Sequence, residues 1–272
     1  MSHYAISELD DLNLVHEFLS GDPAYAAYAL ADLEPPAADH CRWFAASRTG
    51  QIEGLALVYD PMELAILFLM GDPPALSALL LDGVGPERVF FTAPSAVTNI
   101  LPDFYRVDEM MGMLRMRITS GIFNPYLDPA SVPMEVVTLE LDDSADVQAL
   151  LDLTSRADGR DPRDVFFEPQ MLLDGTYRGV KIDGQLVAVA GTHIVSRRAG
   201  VAALGNVAVH PDHRRKGLGG LVSQATTRAL LDQEYELIVL NVRQNNQAAN
   251  KIYRRLGYKA VTAFIEGIAQ RY

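Results

Sequence analysis

The sequence predicts an α/β fold of the α+β kind, built twice over as two domains. Each is a mixed, mostly antiparallel sheet flanked by helices. Three observations lead there. The chain has 272 residues, comfortable for two domains of about 130 residues each. Its halves give nearly the same order of elements: β, helices, β, β, β, α, β, α, β. Between them, residues 120–133 carry Gly121, Pro125, Pro129 and Pro133, the composition of a linker. The expected division is a first domain over 1–119, a linker over 120–133 and a second domain over 134–272. The duplication lies in element order, because the residues of the halves do not match well.

In the first half, a short strand over 4–6 precedes a helical pattern over 11–33. Strands over 42–48 and 52–59 form a hairpin turning near Thr49-Gly50. A strand over 64–70 and a helix over 74–81 follow, then a strand over 89–92, a short helix over 95–101 and a strand over 111–119. The second half opens with alternating residues over 135–141, a strand. Residues 144–156 have helical spacing, with Val147, Leu150, Leu151 and Leu153 on one side. A polar stretch over 156–164 leads to a short apolar-rich segment over 165–173. Strands over 176–182 and 186–196 join at Asp183-Gly184, a hairpin signal. A third strand over 199–210 is rich in Val and Ala. A helix over 217–231 and a buried strand over 236–242 follow. The helix over 247–256 stops at Gly257, the residue type that closes helices. Residues 258–270 supply one or two final strands.

Charge separates the halves. Residues 1–130 hold 6 Lys and Arg against 18 Asp and Glu, and residues 131–272 hold 17 of each, so the net charge of −12 resides in the first half. An acidic half repels phosphate, which argues against nucleic-acid binding, while a neutral half with local basic clusters can hold a compact anion. The apolar runs, such as 65–70, fall far short of a membrane span of about 20 residues. The start, Met1-Ser2-His3-Tyr4, has no basic region followed by an apolar one, so no leader is expected. Cys41 is the one cysteine, which excludes a disulfide framework and a cysteine metal cluster. A cytoplasmic protein without metal or membrane partners is the expectation.

One stretch carries chemistry: Asn206 to Gly220, NVAVHPDHRRKGLGG. A strand ends at Pro211, a basic loop follows, then glycines, then a helix. A helix N-terminus exposes about four unpaired N–H groups and a partial positive charge. Glycines let a phosphate approach those groups, and Arg214, Arg215 and Lys216 add full positive charge. The spacing matches neither the P-loop nor the dinucleotide fingerprint. It reads as a pyrophosphate cradle.

The pattern Pro–x–x–Arg–x–x–Gly–x–Gly after a strand, here Val207, Val209, Pro211, Arg214, Gly217 and Gly219, resembles the acyl-CoA-binding motif of the GNAT superfamily of N-acyltransferases. A second block agrees. Residues 246–258, NQAANKIYRRLGY, are similar to that family's Asn–x–x–Ala–x–x–Leu–Tyr–x–x–x–Gly–Phe/Tyr segment through Asn246, Ala249, Tyr253, Gly257 and Tyr258, with Ile252 for the usual Leu. The resemblance covers residues 134–272 and implies two GNAT-like domains, the first degenerate, as in tandem members of the superfamily.

By position, the resemblance implies that the backbone of Val207, Ala208 and Val209 pairs with the pantetheine amides of acetyl-CoA. It implies that N–H groups of Arg215, Lys216, Gly217, Leu218, Gly219 and Gly220, beside Arg214, hold the pyrophosphate. Asn246 contacts the pantetheine arm or the adenine side, and Tyr253 sits near the thioester sulfur as general acid. The activity implied is acetyl transfer from acetyl-CoA to a primary amine of a small molecule or peptide by direct attack, in a monomer or homodimer. The alternative is a non-catalytic acyl-CoA-binding sensor or interaction module. Residues 201–210 contain no acidic side chain, which leaves His193, Glu168 or a water chain as the general base. In the first half the position matching the cradle reads Met70-Gly71-Asp72-Pro73-Pro74. It has no cation, an acid that would repel phosphate, and prolines without N–H donors. That half is expected to bind no CoA and to help wall the acceptor site, where its acidity would favour a cationic amine.

Overall fold

The computed structural model describes residues 4–60, 64–127, 134–160 and 165–272. The chain forms two compact units. The first comprises Met1–Arg115, Arg243–Asn245 and Val261–Tyr272, and the second Met116–Val242 and Asn246–Ala260.

In the first unit β1 (Ala5–Glu8), β2 (Cys41–Arg48), β3 (Gln51–Tyr59) and β4 (Ala65–Gly71) run antiparallel in that order. The β2–β3 turn holds Thr49 at φ 52° and Gly50 at φ 84°, the two left-handed residues that a two-residue hairpin matched to strand twist requires. The expected helical pattern over 11–33 forms α1 (Leu12–Leu19) and α2 (Ala27–Ala31), broken around Gly21-Asp22-Pro23. Helix α3 (Pro73–Leu81) starts at two prolines, which cost nothing where N–H groups have no intrahelical partner. It carries the chain from β4 to the parallel strand β5 (Arg88–Pro94). The expected helix over 95–101 is instead two 3-10 turns, Ser95–Val97 and Leu101–Asp103, the second holding Pro102. The final strand of the first half starts earlier than expected, as β6 (Tyr105–Ile118). Leu76, Leu79 and Leu80 of α3 pack with Leu67, Leu69, Val89 and Phe91 in this unit's core.

The sheet of the first unit is completed from the far end of the chain. Strand β12 (Lys259–Arg271) pairs antiparallel with β5, from Phe264↔Pro94 to Gln270↔Arg88. Ile265 and Ala269 join the core, and the Arg271 guanidinium donates to the carbonyls of Val84 and Gly85 and to the Tyr105 hydroxyl. A contiguous second domain over 134–272 would have kept this strand, but its pairing gives it to the first unit.

Asp32, at the end of α2, has its carboxyl pushed up to about 7 by burial. Its ordinary value is about 3.9, so between these values the folded state holds a proton that the unfolded state releases. That contribution is fully present below the unfolded value and is lost as pH rises through about 7. Asp32→Asn should therefore flatten the decline in urea midpoint between pH 5 and pH 8. A variant with the wild-type slope would contradict the assignment.

In the second unit, β7 (Val136–Thr138), β8 (Arg178–Ile182), β9 (Gln185–Ser196) and β10 (Val201–Val209) are antiparallel neighbours. Strand β7 is shorter than the expected 135–141. The Glu140 N–H donates to the Asp143 carboxylate at 2.8 Å, and the chain turns into a 3-10 segment over Leu141–Asp143. These polar side chains offer the backbone an alternative to the ladder. Asp183 (φ 51°) and Gly184 (φ 81°) make the β8–β9 hairpin. Helix α4 (Ser144–Ala157) and the short α5 (Met171–Asp174) pack through Val147, Leu150, Leu151 and Leu172 against Val189 and Ala208. Helix α6 (Leu218–Asp232) connects β10 to the parallel strand β11 (Leu237–Arg243), and α7 (Gln247–Leu256) follows.

Residues 128–133 of the expected linker, with Pro129 and Pro133, lie outside the described residues, as do Asp161, Arg163 and Asp164 of the polar stretch. The described part of the linker is docked on the second unit. The Asn124 N–H donates to the Leu256 carbonyl at 2.9 Å, Gln224 exchanges two hydrogen bonds with the Leu127 backbone, and Arg255 lies over the Tyr126 ring. Among the described residues no helix is long and apolar enough to cross a membrane.

Candidate active site

The site is built around the end of β10. Its parallel pairing with β11 runs from Val201↔Leu237 to Leu204↔Leu240 and stops there. On its other edge, the register with β9 shifts between Gly205 and Ala208, around Asn206 at φ 49°. Residues 205–209, which include Val207, Ala208 and Val209, thus follow the point where β10 and β11 cease to pair. Backbone groups on such an edge can bond an extended ligand as a further strand would.

Beyond β10 the chain makes a 3-10 turn over Pro211–His213, with Arg215 at φ 62° and Gly217 at φ 83° before α6. No side chain caps α6, and its first turn carries no acid. The N–H groups of Leu218, Gly219 and Gly220 open the helix, where N–H groups have no intrahelical acceptor. Arg215, Lys216 and Gly217 are exposed. Arg214 is used differently from Arg215 and Lys216. Its Nε donates to the Val209 carbonyl at 3.3 Å, and its Nη1 pairs with Asp158, just past α4, at 2.8 Å. It fastens the loop to the strand and to α4.

A Cβ added at Gly219 would meet Val209 at 3.5 Å and Ile252 at 3.8 Å, so strand end, helix start and α7 converge there. Asn246 is the N-cap of α7, its Oδ1 accepting from the Ala249 N–H at 3.1 Å. Tyr253, in the same helix, is 7% exposed. Its ring meets that of Tyr258 edge-on, and the Tyr258 hydroxyl shares a 2.9 Å hydrogen bond with Thr227 of α6. Burial pushes the Tyr253 hydroxyl up to about 12, so it stays protonated at neutral pH. Among the described residues no side chain or carbonyl hydrogen-bonds that hydroxyl.

The two base candidates are placed differently. Glu168 is exposed, with its N–H directed at the Met171 sulfur. His193 lies on β9, where burial pushes its imidazole below the ordinary range and so keeps it neutral. Its Nε2 lies 3.0 Å from Asn206 Oδ1. Asn206 and Tyr177, which bond to each other at 2.9 Å, escape the sequence reading. Their traceable signal is a pair of glycines inside strands otherwise rich in Val and Ala. Gly191 and Gly205 face each other across β9 and β10. A Cβ on Gly205 would collide with the His193 ring, and one on Gly191 with the Tyr177 ring. Interior strand glycines mark such close approaches.

Residues 146–258 match the Acetyltransferase (GNAT) family. This segment belongs to the GNAT family of acetyltransferases. No curated protein matches the chain by sequence. Solved structures share its fold over most of its length. A GNAT-family protein from Novosphingobium aromaticivorans is 21% identical, with a TM-score of 0.59 over 89% of this chain and 96% of the other. A GCN5-related N-acetyltransferase from Sphaerobacter thermophilus is 13% identical, with a TM-score of 0.66 over 99% and 96%. A tandem GNAT protein from the clavulanic acid biosynthesis pathway is 14% identical, with a TM-score of 0.60 over 98% of each chain. The GNAT segment contains the loop, Tyr253 and Tyr258, and the tandem GNAT fold accounts for the two similar element orders.

Proposed function

We propose that the second unit moves an acetyl group from acetyl-CoA to a primary amine of a small molecule or peptide. The observation that carries this reading is the end of β10–β11 pairing at Leu204↔Leu240, followed at once by the uncapped start of α6. Residues 207–209 then take the pantetheine arm, and the N–H groups of 215–220 with the Arg215 and Lys216 charges take the pyrophosphate. The neutral amine attacks the thioester carbonyl, a β10 N–H polarises the carbonyl oxygen, the Tyr253 hydroxyl protonates the departing thiolate, and the proton shed by the nitrogen as the amide forms passes to water, from which Tyr253 is reprotonated. Asn246, occupied as a helix cap, contributes to the pantetheine or adenine side by fixing the start of α7.

Release of free CoA from acetyl-CoA over an amine panel tests the reading. Tight acetyl-CoA binding with no turnover on any amine would favour the sensor reading, which the lack of a carboxylate in residues 201–210 supports. A second expectation concerns which unit binds. Arg215→Glu with Lys216→Glu should weaken acetyl-CoA binding of the whole chain by about 100-fold or more, because each reversed charge at a phosphate is worth roughly 1.5–3 kcal/mol. The Gly71–Pro74 loop of the first unit offers no cation to take over. Calorimetry that still finds a tight site in this variant would show that the Arg215 and Lys216 charges do not hold the pyrophosphate.

A further inference from the structure

Asn206 is 9% exposed and holds a left-handed backbone, φ 49°, inside the β10 bulge. Asparagine takes this conformation more readily than other non-glycine residues, and here its side chain is held as well. Its side chain takes part in a set of hydrogen bonds whose directions follow from the groups at its ends. The Tyr177 hydroxyl lies 3.1 Å from the Thr192 carbonyl, which can only accept, so Tyr177 donates there and its oxygen accepts from Asn206 Nδ2 at 2.9 Å. Nδ2 also donates to the Phe166 carbonyl at 3.2 Å. Both contacts put the amide nitrogen on the same side, so Oδ1 faces His193 and accepts from its Nε2–H at 3.0 Å. The two rings rest on the facing glycines Gly205 and Gly191. Asn206 sits two residues beyond the last β10–β11 pair, at Leu204↔Leu240.

We propose that Asn206 is a positioning residue. With His193 and Tyr177 it clamps the bulge, so that the edge of β10 at Val207–Val209 is set in advance for the pantetheine and thioester part of acyl-CoA. The inference rests on the acyl-CoA reading above and deepens it. It assigns His193 a role as hydrogen-bond donor to Asn206, which a glutamine amide can also fill. The clamp acts on the strand edge and not on the α6 loop, so it should matter only for ligands that reach the strand.

The full chain, wild type and variants, is titrated calorimetrically with acetyl-CoA and with 3′-phospho-ADP, which has the pyrophosphate but no pantetheine. Asn206→Gly tolerates the left-handed backbone and deletes every side-chain bond of the clamp. It should weaken acetyl-CoA by about tenfold or more, since small misplacements of binding groups carry costs of that order, and leave 3′-phospho-ADP unchanged. Tyr177→Phe, a milder change, should give a smaller loss with the same selectivity. His193→Gln should bind acetyl-CoA within about twofold of wild type, and His193→Ala should resemble Asn206→Gly. Equal loss for both ligands, no loss for either, or a His193→Gln variant as weak as His193→Ala would overturn the clamp. A wild-type protein that binds neither ligand would overturn the acyl-CoA reading itself, and the clamp with it.

Discussion

Gly257→Ala should lower stability by roughly 2–5 kcal/mol, from two costs that act together. Gly257 closes α7 at φ 102°, which a side-chain-bearing residue adopts at a cost of about 1–2 kcal/mol. A Cβ there would also drive into the Ile122 carbonyl oxygen, between the 3-10 turn over Ser120–Ile122 and Asn124, whose N–H holds the Leu256 carbonyl. Overpacking against backbone adds about 1–3 kcal/mol. Urea denaturation of the purified protein measures the sum. Gly217 provides the control. It is also left-handed, at φ 83°, but a Cβ there meets nothing within 4 Å, so Gly217→Ala should incur only the backbone part. Equal losses in the two variants would mean that the contact with Ile122 is not a constraint.

Tyr253→Phe should reduce kcat by about 100-fold, the lower range for removal of a positioned acid, with little change in KM for acetyl-CoA. Nothing among the described residues hydrogen-bonds the hydroxyl, and the ring keeps its contact with Tyr258. The thermal midpoint should therefore hold within about 2 °C, as for a change of a few tenths of a kcal/mol in a protein of this size. A loss of activity matched by a loss of stability would return Tyr253 to the core. Unchanged kcat would remove it from the mechanism and point to water as the proton donor.

Some elements could be read to the residue and others could not. Helix α7 runs Gln247–Leu256, as expected, because Asn246 and Gly257 bracket it with local signals that tertiary packing does not oppose. Both hairpins turn where Thr49-Gly50 and Asp183-Gly184 predicted. Strand β7 came out short because Glu140 and Asp143 satisfy each other locally, a competition that alternating hydrophobicity does not register. The basic loop and glycines were recognisable as the lead into a helix, but the sequence treats Arg214 and Arg215 alike. Only the packed structure pairs Arg214 with Asp158 and Val209 and leaves Arg215 exposed. Asn206 was opaque for a similar reason. Its role depends on partners at Phe166, Tyr177 and His193, brought together by strand pairing. The destination of β12 was equally hidden, since a pattern over 258–270 shows which residues alternate and not which strand they meet.

The pairing of β12 with β5 sets an order of events during synthesis. Chains fold domain by domain as they leave the ribosome, earlier-made parts first. Here the segment made first cannot finish, because its missing strand is made after the whole of Met116–Val242. The second unit is in a position to mature earlier, while the β5 edge and the Phe91 side of the first core wait uncovered. An unpaired edge of that kind invites wrong pairing. A chain that ends before residue 261 and has been released from the ribosome should therefore combine a protease-sensitive leading half with a resistant second unit, and late translation, not early, should decide how much of this protein aggregates.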